Sequence, residues 1–73
     1  MTDTIMLDDK IRANGFTMQF VAEQLGLSSY GFAKKRKNET EFTSSEITKL
    51  CKLLKIRSLR EKEAIFFKRK VEN

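Results

Sequence analysis

Between Thr17 and Phe32 the chain reads T-M-Q-F-V-A-E-Q-L-G-L-S-S-Y-G-F, and Ala22, Gly26 and Phe32 within it restrict the fold more than any other feature. A small residue at Ala22 lets two helices cross closely at a steep angle, where a larger side chain would push them apart. Gly26 follows Leu25 where the first helix must stop, in a position that usually takes positive φ, which glycine adopts without steric cost. Leu27 and Phe32 are apolar anchors for the next helix, and Ser28 between them is a good N-cap. The pattern predicts two short helices joined by a tight glycine turn, a unit able to carry a helix into the DNA major groove.

Local signals extend this to five short helices and an all-α domain. The first runs from about Ile5 to Asn14, with Leu7 and Ile11 inward, Asp8 and Arg12 in the favourable i,i+4 order, and Gly15 as its stop. Thr17 caps the second, with Phe16 placed to staple onto Val21, and Met18, Val21, Ala22 and Leu25 form a buried helical stripe. The third extends from about Ser29 to Lys37, and the polar stretch from Asn38 to Glu41 reads as a loop. A capping box of Thr43 and Glu46 opens the fourth, with Phe42 stapled to Ile47, and Ile47, Leu50, Cys51 and Leu54 repeat the stripe. Ser58 and Glu61 form a second box opening the fifth helix.

Seventy-three residues make one domain, residues 1–73, with one small core. Without histidine, neither a His-based catalytic dyad nor a His metal site can be built, so the chain reads as no enzyme, with no cofactor, metal or small-molecule substrate. A single cysteine excludes an internal disulfide, and Cys51 on its apolar stripe reads as an inert buried thiol. No apolar run reaches the roughly 18 residues of a membrane span, and the expected location is cytoplasmic.

Charge is uneven. Residues 1 to 30 carry a net −2 and residues 31 to 73 a net +7, for a total of +5. The densest run, Lys34-Lys35-Arg36-Lys37, directly follows the motif. It reads either as a solvated helix end whose cations suit the C-terminal dipole or as a phosphate-binding patch.

Further residues repeat a known pattern: Phe42-Thr43-Ser44-Ser45-Glu46-Ile47, then Leu50, Leu53-Leu54-Lys55-Ile56, and Phe66-Phe67 with Val71. On these and the motif, from about residue 5 to 71, the chain resembles the lambda-repressor-like helix-turn-helix regulators, which include small Cro proteins of temperate phages of Gram-positive hosts. It is also similar to the small modulator-of-repression proteins that oppose a phage repressor. The resemblance implies a five-helix lambda-repressor-like fold with a short extended C-terminal segment. It further implies a transcriptional regulator of a lysis–lysogeny switch in the host cytoplasm, with operator DNA or the cognate phage repressor as partner.

Carried over by position, the resemblance puts Ser29 and Tyr30 near base edges and Lys34, Lys37 and Asn38 near the DNA backbone. Gln19 and Ser28 complete the candidate binding set. Where many relatives have a glutamine bracing the recognition helix, this chain has Met18, with Gln19 beside it. Where relatives return an apolar side chain to the core, it has Lys35 and Arg36, whose stems could cover apolar surface while the charges reach solvent or phosphate. Ser29 offers one weak contact rather than the bidentate grip of Gln or Arg. Tyr30 suits a protein interface as well as a groove.

Ala64-Ile65-Phe66-Phe67 is too long an apolar run to face one core. One arrangement puts Leu59, Ala64 and Phe67 inside, leaving Ile65 and Phe66 packed loosely on the first helix. In the other, surplus surface at Ile65 and Phe66, or a short strand from Phe66 to Val71, pairs with another chain, and the resemblance implies a homodimer formed this way.

Two mechanisms follow. In the first, a Cro-like operator binder, the third helix enters the major groove with Ser29 and Tyr30 at bases and Lys34, Lys35, Arg36 and Lys37 at phosphates. In the alternative, an antirepressor, the chain docks on the repressor's DNA-binding domain, with Asp8, Asp9, Glu39, Glu41 and Glu46 as mimics of phosphate.

Overall fold

The computed structural model describes residues 1–69, which form five helices and contain no strand. They are α1 (Thr4–Ala13), α2 (Met18–Gln24), α3 (Ser29–Arg36), α4 (Ser44–Leu53) and α5 (Leu59–Phe66). Val71, and any extended segment reaching it, lie outside the described residues.

Every helix starts on a side-chain cap. Asp3, Thr17, Ser28, Thr43 and Ser58 accept from the backbone N–H three residues on, at Met6, Phe20, Gly31, Glu46 and Glu61. Each such cap contributes about 1 kcal/mol, and a chain this small has few other sources of stability. The box at Thr43 is complete, the Glu46 carboxylate accepting from Thr43 N–H at 2.9 Å. The box expected at Ser58 is only half formed: Glu61 donates its N–H to the serine, but its carboxylate turns to Lys10 of α1 at 3.0 Å. A cross-helix cation has outcompeted the local backbone donor.

The first four helices also end alike. After each, one residue takes positive φ: Gly15, Gly26, Asn38 and Lys55. The following N–H reaches back five residues, as from Leu27 to the Ala22 carbonyl at 2.9 Å and from Ile56 to Cys51 at 2.8 Å. This pairing satisfies carbonyls that the helix end would leave orphaned. Lysine at such a position is strained by its Cβ, so Lys55 is an unusual choice.

The core is continuous across all five helices. Leu7 and Ile11 of α1, Val21 and Ala22 of α2, Phe32 of α3, Ile47 and Leu50 of α4, and Ile65 and Phe66 of α5 are buried, joined by Leu25, Leu54 and Ile56. Phe42 sits edge-on between Phe32 and Phe66, at 6.1 and 6.0 Å, and so ties the loop before α4 to α3 and α5. Met18 and Cys51 are only half-buried at the core's margin, and Phe16 lies 5.0 Å from Phe20.

The apolar run of α5 is arranged opposite to both sequence expectations. Ile65 and Phe66 are in the core, while Leu59 and Phe67 are exposed. The cause is the N-terminal segment, which crosses the end of α5: Asp3 N–H donates to the Ile65 carbonyl and Lys68 N–H to the Met1 carbonyl. Those bonds fix the rotation of α5 with Ile65 and Phe66 inward. Neither offers surface to a partner, and Phe66 is helical rather than extended.

Two stability measurements check this fold. Leu50 is fully buried, so Leu50→Ala should destabilise by about 2–5 kcal/mol in chemical denaturation; a wild-type midpoint would remove Leu50 from the core. Lys55→Gly should stabilise by roughly 1 kcal/mol by relieving the positive-φ strain, and a lowered thermal midpoint would contradict the helix-end geometry.

Candidate interface on the second and third helices

The turn between α2 and α3 brings the motif residues to one surface. Gln19 and Phe20 of α2 and Ser28, Ser29, Tyr30 and Lys37 on or beside α3 are exposed, and Tyr30 is the most open of the aromatics at 73%. The Lys34 ammonium lies 5.5 Å from the centre of the Tyr30 ring, a cation–π contact one turn along the helix.

The rest of the cationic run points elsewhere. Lys35 Nζ donates to Glu46 Oε1 at 2.6 Å, with the two side chains 16% and 12% exposed. Arg36 Nη1 donates to both carboxylate oxygens of Asp8, at 2.8 and 3.0 Å, with side chains 13% and 18% exposed. These are nearly enclosed pairs. Exposed pairs contribute about 0–1 kcal/mol and removing one partner of a fully buried pair costs about 3–5; these part-buried pairs lie between the two. Releasing either cation to a phosphate would leave its carboxylate unpaired, and in this structure Lys35 and Arg36 act as fasteners of α3. The guanidinium also lies 5.3 Å from the Phe32 ring centre, where it covers apolar surface as an aliphatic residue would.

Asn38 is likewise committed. Its side chain accepts from Thr2 N–H at 2.7 Å and donates to the Thr2 carbonyl at 2.8 Å, while the Thr4 hydroxyl donates to the Arg36 carbonyl. The end of α3 is therefore clamped to the start of α1, and Asn38 spends one oxygen lone pair and one amide proton on that clamp. Arg36 Nε is buried without a partner among the described residues.

The acidic candidates divide the same way. Asp8 and Glu46 are engaged in the two part-buried pairs rather than open to a partner. Asp8 does not pair with Arg12; that arginine meets Asp9 at 3.3 Å on open surface. Asp9, Glu39 and Glu41 stay exposed, with Glu23 of α2. Across α2, α3 and the loop after α3, the charges outside ion pairs are Lys34 and Lys37 against Glu23, Glu39 and Glu41, a net of −1.

Cys51 lies away from this surface. The thiol is half-buried rather than buried, and burial pushes its pKa up against a smaller opposing effect of the Lys62 charge, which favours the protonated form. No group of His, Cys, Asp and Glu among the described residues is placed to hold a metal ion, and no helix among them is long and apolar enough to cross a membrane. No protein family, curated protein or solved structure matches the chain.

Burial alone would raise the Glu46 carboxyl, but the hydrogen bond from Lys35 and that from Thr43 N–H outweigh it and hold the group below its ordinary value. The unfolded chain then takes up this proton first as pH falls. The stability Glu46 confers is complete above its ordinary value of about 4.5 and is lost as pH drops through the lowered one. Urea denaturation at pH 7 and at about pH 3 should show wild type losing stability and Glu46→Gln losing distinctly less. An equal acid loss in both would mean that the Lys35 pair contributes nothing.

Proposed function

We propose that the chain is an antirepressor-type regulator of a temperate-phage lysis–lysogeny switch, docking its α2–α3 surface on the DNA-binding domain of the cognate repressor. The observation that carries this is the conversion of Lys35 and Arg36 into internal pairs, which leaves a surface of balanced charge around an exposed aromatic. Affinity for DNA rises with the number of phosphates that cations neutralise, and on this surface only Lys34 and Lys37 remain outside ion pairs among the described residues. A large amphipathic ring ringed by mixed charge instead suits a wet protein interface. Tyr30 is the anchor in this reading, with Phe20, Ser29 and Lys37 around it and Asp9, Glu39 and Glu41 available to a basic partner.

Operator binding by the chain itself is the second reading, and one observation favours it. The Gly26 turn and the Ser28 cap are formed as a helix-turn-helix requires, with Ser29 and Tyr30 exposed at the start of α3. Gel shifts on the switch-region DNA with the chain alone, the repressor alone and both together separate the two. An antirepressor releases or alters the repressor's shift and gives none alone; an operator binder shifts DNA alone.

Truncating a central aromatic anchor costs about 2 kcal/mol or more of binding, which is roughly 30-fold in affinity. Calorimetric titration of Tyr30→Ala against the repressor's DNA-binding domain should show at least that loss, with circular dichroism unchanged because the ring is exposed. Wild-type affinity in a folded variant would move the interface off α3.

A further inference from the structure

Most of the cations outside ion pairs among the described residues lie away from α2 and α3. Residues 49 to 62 hold six cations, Lys49, Lys52, Lys55, Arg57, Arg60 and Lys62, against Glu61 alone, and so carry a net charge equal to the +5 of the whole chain. The remaining residues sum to zero. Glu61 is itself taken by Lys10, and none of the six cations is in an ion pair among the described residues.

The end of α4, its connection to α5 and the start of α5 gather four of these cations around one open cleft of about 550 Å³, lined by Lys52, Lys55, Arg57, Lys62 and Ser58. No acidic side chain lines it. Ser58 Oγ accepts from Glu61 N–H, which leaves its own proton free to donate. Cys51, Ile56 and Leu59 give the lining a large apolar share, and the donors beside them suit phosphate oxygens, which only accept.

Helix electrostatics accounts for only part of this arrangement. Lys52 and Lys55 at the end of α4 complement its dipole, but Arg57, Arg60 and Lys62 crowd the positive end of α5, where cations are unfavourable. Lys55 adds a strained backbone where glycine would cost nothing. A domain of this size keeps mutual repulsion and strain together at one place, and an external polyanion relieves the repulsion.

We propose that the α4–α5 cleft is a second binding surface, one that takes the phosphodiester backbone of duplex DNA. The cleft is concave, which fits the ridge of a nucleic-acid strand better than the plane of a bilayer. It shares no residue with the Tyr30 surface, so the proposal stands apart from the repressor-docking reading; where both hold, the chain bridges a repressor and nearby DNA.

The test is fluorescence anisotropy of a labelled duplex of about 20 base pairs titrated with the full chain between about 50 and 200 mM salt. Each phosphate contact contributes about 0.9 to the slope of log affinity against log salt. Lys52→Gln/Lys55→Gln/Arg57→Gln/Lys62→Gln should therefore flatten that slope by about three to four and weaken binding roughly tenfold or more at the lowest salt. Arg57→Gln/Lys62→Gln, which leaves α4 untouched, should flatten it by about two, and circular dichroism verifies both folds. Lys34→Gln/Lys37→Gln should leave the slope as it is. The proposal is overturned by any of four results: no duplex binding by wild type at the lowest salt; an unchanged slope in the folded cleft variants; a slope that responds to the α3 pair instead; or binding to phosphatidylglycerol vesicles without binding to duplex. Titration of the cleft variants against the repressor domain reads the Tyr30 surface separately, so failure of one proposal does not mimic failure of the other.

Discussion

The last turn of α3 is held by charge where a buried hydrophobe would ordinarily hold it, and much of the molecule's behaviour depends on that substitution. Lys35 reaches Glu46 at the start of α4 and Arg36 reaches Asp8 in α1, so adjacent residues fasten one helix to two neighbours. Such pairs must recover the cost of desolvation through good geometry and further hydrogen bonds. Both do so in part: Asp8 receives the guanidinium with both oxygens, and Glu46 receives the Thr43 N–H as well as the ammonium. Arg36 Nε is the one buried side-chain polar atom left without a partner among the described residues. Polar fastening is more directional than apolar contact, and here it sets the position of α3 relative to α1 and α4.

That fastening also redistributes the surface charge. A run that looks like a phosphate grip is half internal, and its two remaining cations are balanced by Glu23, Glu39 and Glu41. Net charge describes long-range attraction but gives no location, and only after the internal pairs are removed does the positive end of this domain lie at α4 and α5. The α2–α3 surface, free of a dominant field, presents an aromatic ring and mixed charges. This division supports a protein-facing role for α3 and a polyanion-facing role for the other end.

The pairs act within a frame of local backbone chemistry. Five side-chain caps and four positive-φ stops bound helices of seven to ten residues, too short to be stable in isolation. Their stability comes from the shared core, and caps and stops determine which side chains each helix turns toward it. Phe42 extends that core into the loop after α3, so the aromatic edge contacts and the Lys35–Glu46 pair bind the same junction from its apolar and polar sides.

The number of helices, their starts at Thr17, Ser28, Thr43 and Ser58, their stops at Gly15 and Gly26, and the stripes at Leu7/Ile11 and Ile47/Leu50/Leu54 were legible in the sequence. Each depends on interactions within about one or two helical turns, where residue type and spacing suffice. The candidate surface was legible to the same extent: Ser29 and Tyr30 are exposed because the cap at Ser28 and the anchor at Phe32 set the rotation of α3. What each charge pairs with was not. Asp8 has Arg12 one turn away yet pairs with Arg36, 28 positions on, and Glu61 leaves its own cap for Lys10. The burial of Ile65 and Phe66 in place of Leu59 and Phe67 follows from backbone bonds to Met1 and Asp3, at the far end of the chain. Long flexible side chains and distant backbone groups find their partners only after the helices have packed, and that packing decided which cations hold the fold together and which remain free to bind.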